Sequence, residues 1–181
     1  YMLSVSRGLS FSGDDVSRTT AFADYRKYLP LFYRNYLAFR AIGSVSTGED
    51  RRFFFLGGPL TMRGYDYLQF QGPRMMLFNL EYRYPLIDAL VFGWPAQWAL
   101  TNVGGTLFLD SGAVWGEGRY VEPLPSGIEP TTINDIDFYS DFGIGLYMRL
   151  GWLIMNFQFG WPTDFNRTGG SVFHFYLGPQ F

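Results

Sequence analysis

The sequence predicts an all-β fold, an antiparallel transmembrane β-barrel to which this chain contributes eight strands. Apolar and polar residues alternate over stretches of about 8 to 12 residues, the period of a strand whose two faces meet different surroundings. Aromatic residues make up 20% of the chain, and its hydrophobic residues are interleaved with polar ones rather than collected in long runs. Long polar connections alternate with tight turns, as they do in outer-membrane barrels.

The predicted strands follow one another along residues 1–181, which we interpret as one domain. The first three lie at roughly residues 1–10, 18–30 and 33–47. The other five lie in the stretches RMMLFNLEYRYP, GTLFLDSGAVW, DFGIGLYMRL, WLIMNFQFGW and SVFHFYLGPQF. In the last stretch Phe173 and Phe175 alternate with His174 and Tyr176, so one side would face lipid and the other the lumen. The tight turns are LPLF (29–32) and RLGW (149–152).

Composition argues against several classes of function. The chain has no cysteine, which excludes a disulfide scaffold, a thiolate zinc site and a cysteine nucleophile. A net charge of −2 argues against a nucleic-acid-binding protein, which would need a basic face. The single histidine, His174, cannot form a multi-histidine metal site, and no G-x-S-x-G motif accompanies it. We therefore expect no enzymatic activity, no cofactor, no metal site and no nucleic-acid partner.

One connection departs from the alternation of long loops and tight turns. Residues 85–101, PLIDALVFGWPAQWALT, lie on the side of the tight turns, yet they form a long apolar segment. The segment contains Trp94 and Trp98, and indole rings concentrate at membrane–water interfaces. We interpret residues 85–101 as an interfacial segment anchored by these two tryptophans. The alternatives are an ordinary buried loop or a short core helix.

The connection at residues 48–72, here called the RGY loop, carries Arg51 and Arg52 near its start, and from residue 57 onward it contains a single arginine, Arg63, near its centre. A guanidinium keeps its charge, so a loop that carries it into a confined lumen needs carboxylate partners. Glu81 and Asp110 fall on the polar faces of the next two strands, and one guanidinium fork can bind both. Glycines in the loop permit tight turns and close approach to the wall. They are Gly57, Gly58 and Gly64.

Several motifs, in order, resemble those of the outer-membrane assembly factor superfamily, the BamA- and TamA-like bacterial surface antigen barrels. Gly57–Gly58 followed by Arg63–Gly64–Tyr65 is similar to the arginine loop of that superfamily, which also includes two-partner-secretion transporters. The strands that follow are similar as well, so the resemblance covers about residues 50–181. The stretches are NLEYRYPL, LFLDSGAVW, FGIGLYMRL, LIMNFQFGWP and FHFYLGPQF. The resemblance implies a contact of Arg63 with Glu81 and Asp110; the alternative is a solvated external loop.

The resemblance also bears on the size of the barrel. The superfamily's barrels have sixteen strands and an arginine loop inside the lumen, whereas a barrel of eight strands is filled by its own side chains. We therefore expect this chain to be the C-terminal half of a sixteen-stranded barrel. The alternative is a closed eight-stranded barrel with the loop capping its mouth. An even number of strands places both chain ends on the periplasmic side of a bacterial outer membrane.

The function implied by the resemblance is that of an insertase or translocase, which assists assembly or passage of outer-membrane proteins without chemistry. The closing strand is a candidate for a weak edge because Gly178 and Pro179 interrupt it before the terminal aromatic, Phe181. The expected partners are outer-membrane lipids, with nascent outer-membrane proteins and periplasmic or lipoprotein subunits as further candidates. The alternative is a structural or anchoring barrel without insertase activity. A third reading, an outer-membrane lipid hydrolase, has no convincing nucleophile and base.

Overall fold

The computed structural model describes residues 2–7, 17–94, 98–124 and 128–179, and in that part of the chain every regular element is a strand. The residues described include no helix with the length and hydropathy needed to cross a membrane. In chain order the strands are β1 (Met2–Arg7), β2 (Thr19–Pro30), β3 (Tyr36–Thr47), β4 (Phe54–Leu56), β5 (Phe70–Gly72), β6 (Arg74–Phe92), β7 (Trp98–Trp115), β8 (Tyr120–Val121), β9 (Thr131–Ile133), β10 (Ile136–Leu150), β11 (Leu153–Thr163) and β12 (Val172–Leu177).

The main sheet is antiparallel and follows the order of the chain. Its neighbours are β1, β2, β3, β6, β7, β10, β11 and β12, and β9 pairs with β10 off this path. A smaller sheet of β4, β5 and β8 belongs to the connections. The prediction of an all-β, antiparallel fold is confirmed. In the described ranges β1 and β12 are not paired with each other, so the sheet is open; its place in a closed or a larger barrel stays a prediction.

The strand register gives the main sheet two chemically different faces. Asn79 lies opposite Asp110 and Asp110 opposite Asp141, so these polar side chains share one face, the inner face. Apolar side chains on the other face are exposed to the surroundings, among them Leu109 and Phe142. A polar inner face and an apolar outer face are typical of membrane-spanning barrels.

The turns at one end of the sheet are tight, and their backbone explains their sequences. Between β2 and β3, Tyr33 and Arg34 have positive φ angles, and the Leu31 N–H donates to the carbonyl of Asn35. Between β10 and β11, Gly151 takes a φ of 58°. Glycine adopts this left-handed conformation without a Cβ penalty, which suits it to the turn. The turn between β10 and β11 lies within the expected residues 149–152, whereas the turn between β2 and β3 lies at residues 31–35 rather than 29–32, because β2 continues to Pro30.

Strands β6 and β7 continue through most of residues 85–101, where the sequence analysis expected a separate segment. Phe92 pairs with Trp98, and their rings are stacked with centroids 4.1 Å apart. The strand pattern was missed because both faces of this stretch are apolar, which removes the period-two signal. Its interfacial role stays a prediction.

The hydrophobic core lies between the inner face and the RGY loop. Loop residues Leu56, Met62, Tyr65 and Phe70 are buried against wall residues of β3, β6, β7 and β10. The wall residues are Ile42, Met75, Leu77, Val114 and Tyr139. The main sheet therefore packs on the RGY loop, including its short strands β4 and β5, and this arrangement positions the site described next.

Candidate functional site

The RGY loop enters and leaves the inner face through a narrow neck. Phe54 pairs with Gly72 and Leu56 with Phe70, so β4 and β5 hold the loop ends side by side. Immediately after β4, Gly57 and Gly58 have φ angles of 107° and 98°. A side chain at Gly57 would also collide with the backbone, since an added Cβ would lie 2.1 Å from the Asp66 carbonyl oxygen. Glycine is therefore required where the loop turns inward.

Arg63 lies at the buried centre of the loop, with 2% of its surface exposed. Its Nε and Nη2 donate to the two carboxylate oxygens of Asp110 over 2.8 and 2.7 Å, and its Nη1 donates to Glu81. The ring of Phe108 lies under the guanidinium, with its centroid 3.7 Å from Cζ. A bidentate arginine–carboxylate pair and a cation–π contact thus act on the same group.

The carboxylates around Arg63 are held by neighbouring side chains. Glu81 also accepts from Arg83 on its own strand, with Nε 2.5 Å from Oε2. Asn79 donates to Asp110 and to the Thr61 carbonyl of the loop, each over 2.7 Å. The structure thus brings Arg63, Glu81 and Asp110 together, as a group here called the arginine cluster.

The charge of Arg63 is maintained by its partners. Burial alone would lower the pKa of this guanidinium, but the carboxylates of Asp110 and Glu81 outweigh that effect and raise it above its ordinary value. The cluster is therefore an ion group at any pH at which its carboxylates are ionised.

Asp141 adds a further carboxylate to the wall beside the cluster. It lies directly opposite Asp110 in the β7–β10 register and is fully buried. Neither of its carboxylate oxygens has a hydrogen-bond partner within the described ranges. Gly64 packs against it so closely that an added Cβ would lie 2.4 Å from the Asp141 Cβ.

Two glycines of the main sheet leave space for the RGY loop and for the Phe108 ring that lies under the Arg63 guanidinium. At Gly160 in β11, an added Cβ would lie 2.3 Å from the Arg63 carbonyl oxygen and 2.6 Å from the Gly64 nitrogen. At Gly143 in β10, an added Cβ would lie 2.2 Å from the ring of Phe108. The sequence analysis missed these contacts; the available signal was a glycine inside a strand, which often marks close approach of another backbone.

Tyr65 attaches the loop to β10. Its hydroxyl donates to the Ser140 carbonyl over 3.0 Å, and its ring meets Phe70 edge-on with centroids 4.9 Å apart. Burial, the largest cause, raises the pKa of Tyr65, so the hydroxyl stays a donor across the physiological range.

Replacing Tyr65 with phenylalanine is expected to remove the loop's hydrogen bond to β10 while keeping the ring in the core. The expected cost is about 0.5–1.5 kcal/mol of unfolding free energy, the net value of one neutral hydrogen bond. Urea-induced unfolding of the protein in lipid vesicles, followed by tryptophan fluorescence, measures it. Tyr120→Phe is the matched control because Tyr120 is exposed; an equal loss in both variants would contradict this role for Tyr65.

A second ion group attaches the loop to the middle of β2 and β3. Asp24 of β2 accepts from Arg26 over 2.8 Å and from Arg40 over 3.0 Å. Arg40 also donates from Nη1 to the carbonyl of Leu60 in the RGY loop, over 3.2 Å. The loop is therefore bonded to β3 as well as to β6, β7 and β10.

The remaining predicted residues lie away from the arginine cluster. Trp94 is 85% exposed near the tip of the β6–β7 hairpin, where Trp98 stacks on Phe92. Gly178 follows β12 with a φ of 134°, and its carbonyl accepts from Asn156 over 2.7 Å. Phe181 lies outside the described residues. No group of three or more histidine and acidic side chains that could hold a metal ion is found within the described ranges.

Comparison with known proteins places the chain in one family. A family model described as the Omp85 superfamily domain matches residues 1–181. Searches of the curated proteins and of the solved structures gave no significant match.

Proposed function

The chain belongs to the Omp85 superfamily, and from that premise we propose that it assists assembly or passage of outer-membrane proteins, as an insertase or translocase. The observation that carries the proposal is the free edge of β12. This strand of six residues pairs with β11 on one side, and no described strand lies on its other side. A free edge presents unpaired backbone groups that an incoming strand can bind by β-augmentation.

The free edge of β12 lies beside strands that the RGY loop contacts. The loop contacts five neighbouring strands of the main sheet: its Leu60 carbonyl accepts from Arg40 of β3, Arg63 is bonded to β6 and β7, Tyr65 is bonded to β10, and Gly64 packs on Gly160 of β11. The edge strand β12 ends at Leu177 and is followed by Gly178 and Pro179, and a proline cannot donate a ladder hydrogen bond. Such a sheet would expose one short strand for exchange while the rest of the wall keeps its register.

The position in the membrane is part of the proposal. The exposed apolar outer face suits contact with outer-membrane lipids, and both chain ends would lie on the periplasmic side. The RGY loop already fills much of the inner face, which favours the C-terminal half of a sixteen-stranded barrel over a closed barrel of eight strands. Nascent outer-membrane proteins would be the substrates, and periplasmic or lipoprotein subunits the assisting partners.

Cysteine crosslinking tests the free edge directly, since the natural sequence contains no cysteine. Phe175→Cys on β12 is expected to form a disulfide with a nascent outer-membrane protein that carries a cysteine in its terminal strand. Phe142→Cys is the matched control, because it lies on the outer face of β10, which is paired on both sides. Depletion of the protein should also lower outer-membrane protein levels uniformly. Equal crosslinking at both positions, or unchanged levels, would contradict the proposal.

A structural or anchoring barrel is the second candidate, and the β6–β7 hairpin is the observation that favours it. Beyond Arg83, β6 has no described partner on the β3 side, and its apolar side chains are exposed. Examples are Leu86 and Val91, with Trp94 near the tip. In this case depletion would leave outer-membrane protein levels unchanged, and truncating the hairpin would release a bound partner.

A further inference from the structure

A cavity of about 370 Å³ lies on the inner face near the tight turns, away from the buried end of the RGY loop. It is lined by side chains of β3, β6, β7, β10 and β11 and by Pro179, which follows β12. The arginine cluster does not use this space. Its volume falls in the range of ligand-binding pockets, about 300–1,000 Å³.

Two irregularities of the strands shape the cavity. The β6–β7 register shifts between Pro85 and Ile87, and the β7–β10 register shifts between Tyr147 and Arg149. Asn102, in the strand between these shifts, has a positive φ angle of 50°. Bulges bend a strand and redirect its side chains, and they are common beside functional sites. Here both shifts occur at the wall of one cavity.

Arginines dominate the charge of the lining. Arg83 is nearly fully buried and is bound to Glu81. Arg34 forms an ion pair with Asp88, the one carboxylate among the described lining residues, and both partners are largely exposed. An exposed ion pair contributes little to stability, so Arg34 can exchange Asp88 for an anionic ligand. For Arg149 the described ranges contain no carboxylate partner.

Asn156 supplies an acceptor whose hydrogen bond is missing. The residue is fully buried and lines the cavity, and its Nδ2 donates to the carbonyl of Gly178. Its Oδ1 has no partner among the described residues. A buried acceptor without a donor is unfavourable, so a ligand that supplies an N–H at this point gains affinity by satisfying it.

The cavity therefore offers cations for an anion and, beside them, an acceptor for an N–H group. The terminal residue of a polypeptide presents this pair of groups, a carboxylate and the amide N–H that precedes it. Arg83 and Asn156 of its lining lie on the inner face, whereas lipids would meet the outer face, which argues against a lipid headgroup. We propose that it binds the terminal carboxylate of an extended polypeptide, with Arg149 and Arg34 on the carboxylate and Asn156 Oδ1 on the last amide N–H. This inference rests on the proposed function, because it assumes a polypeptide substrate.

Peptide binding to the purified full-length protein in detergent tests the inference without any assembly reaction. The probe is an apolar hexapeptide labelled at its N-terminus, with either a free carboxylate or an amide at its C-terminus, followed by fluorescence anisotropy. The free acid should bind at least about tenfold more tightly than the amide, as expected for loss of a charge-assisted hydrogen bond. Arg149→Gln should remove this preference by weakening the acid alone. Arg74→Gln, an exposed arginine at the other end of β6, should change nothing.

Three results would overturn the inference. The first is equal affinity for the acid and the amide peptide, and the second is full affinity of the acid peptide for Arg149→Gln. The third is displacement of the peptide by inorganic phosphate at a concentration similar to that of the peptide, which would indicate a general oxyanion site. If Arg149→Gln does not fold, Arg34→Gln and Arg149→Lys test the same contact. The peptide assay does not depend on membrane assembly. Peptide binding can therefore fail while crosslinking at β12 succeeds, or succeed while crosslinking fails, so each result tests one proposal.

Discussion

Replacing Arg63 with alanine is expected to abolish the heat-resistant folded form of the protein on unheated gels. The change leaves Asp110 and Glu81 buried without the cation that joins them, and both are at most 1% exposed. Breaking a buried ion pair by removing one partner costs about 3–5 kcal/mol, a large part of a native stability of about 5–15 kcal/mol. Glu81→Ala and Asp110→Ala should have the same direction of effect, since each leaves the buried cation of Arg63 with one carboxylate partner fewer.

The size of the Arg63 effect can be separated from a general loss of charge. Arg63→Lys keeps the cation but loses the fork that binds two carboxylate oxygens, so an intermediate stability is expected. Arg74→Ala removes an exposed arginine and should leave the gel pattern of the natural protein. A full heat-resistant band for Arg63→Ala, Glu81→Ala and Asp110→Ala together would show that the cluster does not hold the loop.

Replacing Gly160 with alanine is expected to displace the RGY loop, with a cost of about 1–3 kcal/mol, the usual range for overpacking. The added Cβ would lie 2.3 Å from a backbone oxygen, which cannot rotate away as a side chain can. Limited trypsin digestion measures the displacement, because trypsin cleaves after arginine and Arg63 is buried in the natural protein. A cut after Arg63 should appear in the variant and not in the parent.

Gly145 provides the matched control for this experiment. It also lies on the inner face of the wall, but an added Cβ would meet its nearest heavy atom at 3.4 Å, an ordinary contact distance. Gly145→Ala should therefore keep Arg63 protected from trypsin. If trypsin failed to cut after Arg63 in both Gly145→Ala and Gly160→Ala, the loop would not depend on close packing against Gly160.

The parts of the fold that the sequence predicts are those where a strand has two different environments. Alternation in SVFHFYLGPQF and in DFGIGLYMRL predicts β12 and β10 because one face of each is apolar and the other polar. Where both faces are apolar, as from Leu86 to Phe92, the alternation disappears, and the strand had to be found in the structure. The small sheet of β4, β5 and β8 was also missed, since its strands of two or three residues are too short to show a period.

Some contacts of the candidate site could likewise be predicted from the sequence, and others could not. A buried arginine requires carboxylates, and strand parity places Glu81 and Asp110 on the polar faces of the next two strands, which together with the family resemblance predicts them as partners of Arg63. The close packing of the RGY loop on Gly160 and the position of the Phe108 ring under the guanidinium depend on which residues lie opposite each other across several strands. That register follows from pairing over the whole sheet, which one sequence does not specify.

The arginine cluster has a consequence for how the sheet can assemble. Asp110 faces inward only in the observed register, opposite Asn79, and a slip of β7 by one residue would turn it toward the outer face. Such a slip would place a carboxylate in lipid and leave Arg63 with one partner fewer. Arg63 can therefore be buried with both of its carboxylates only when the strands are in the observed register. Burial of the RGY loop thus stabilises the correct alignment of the sheet and not a misaligned one.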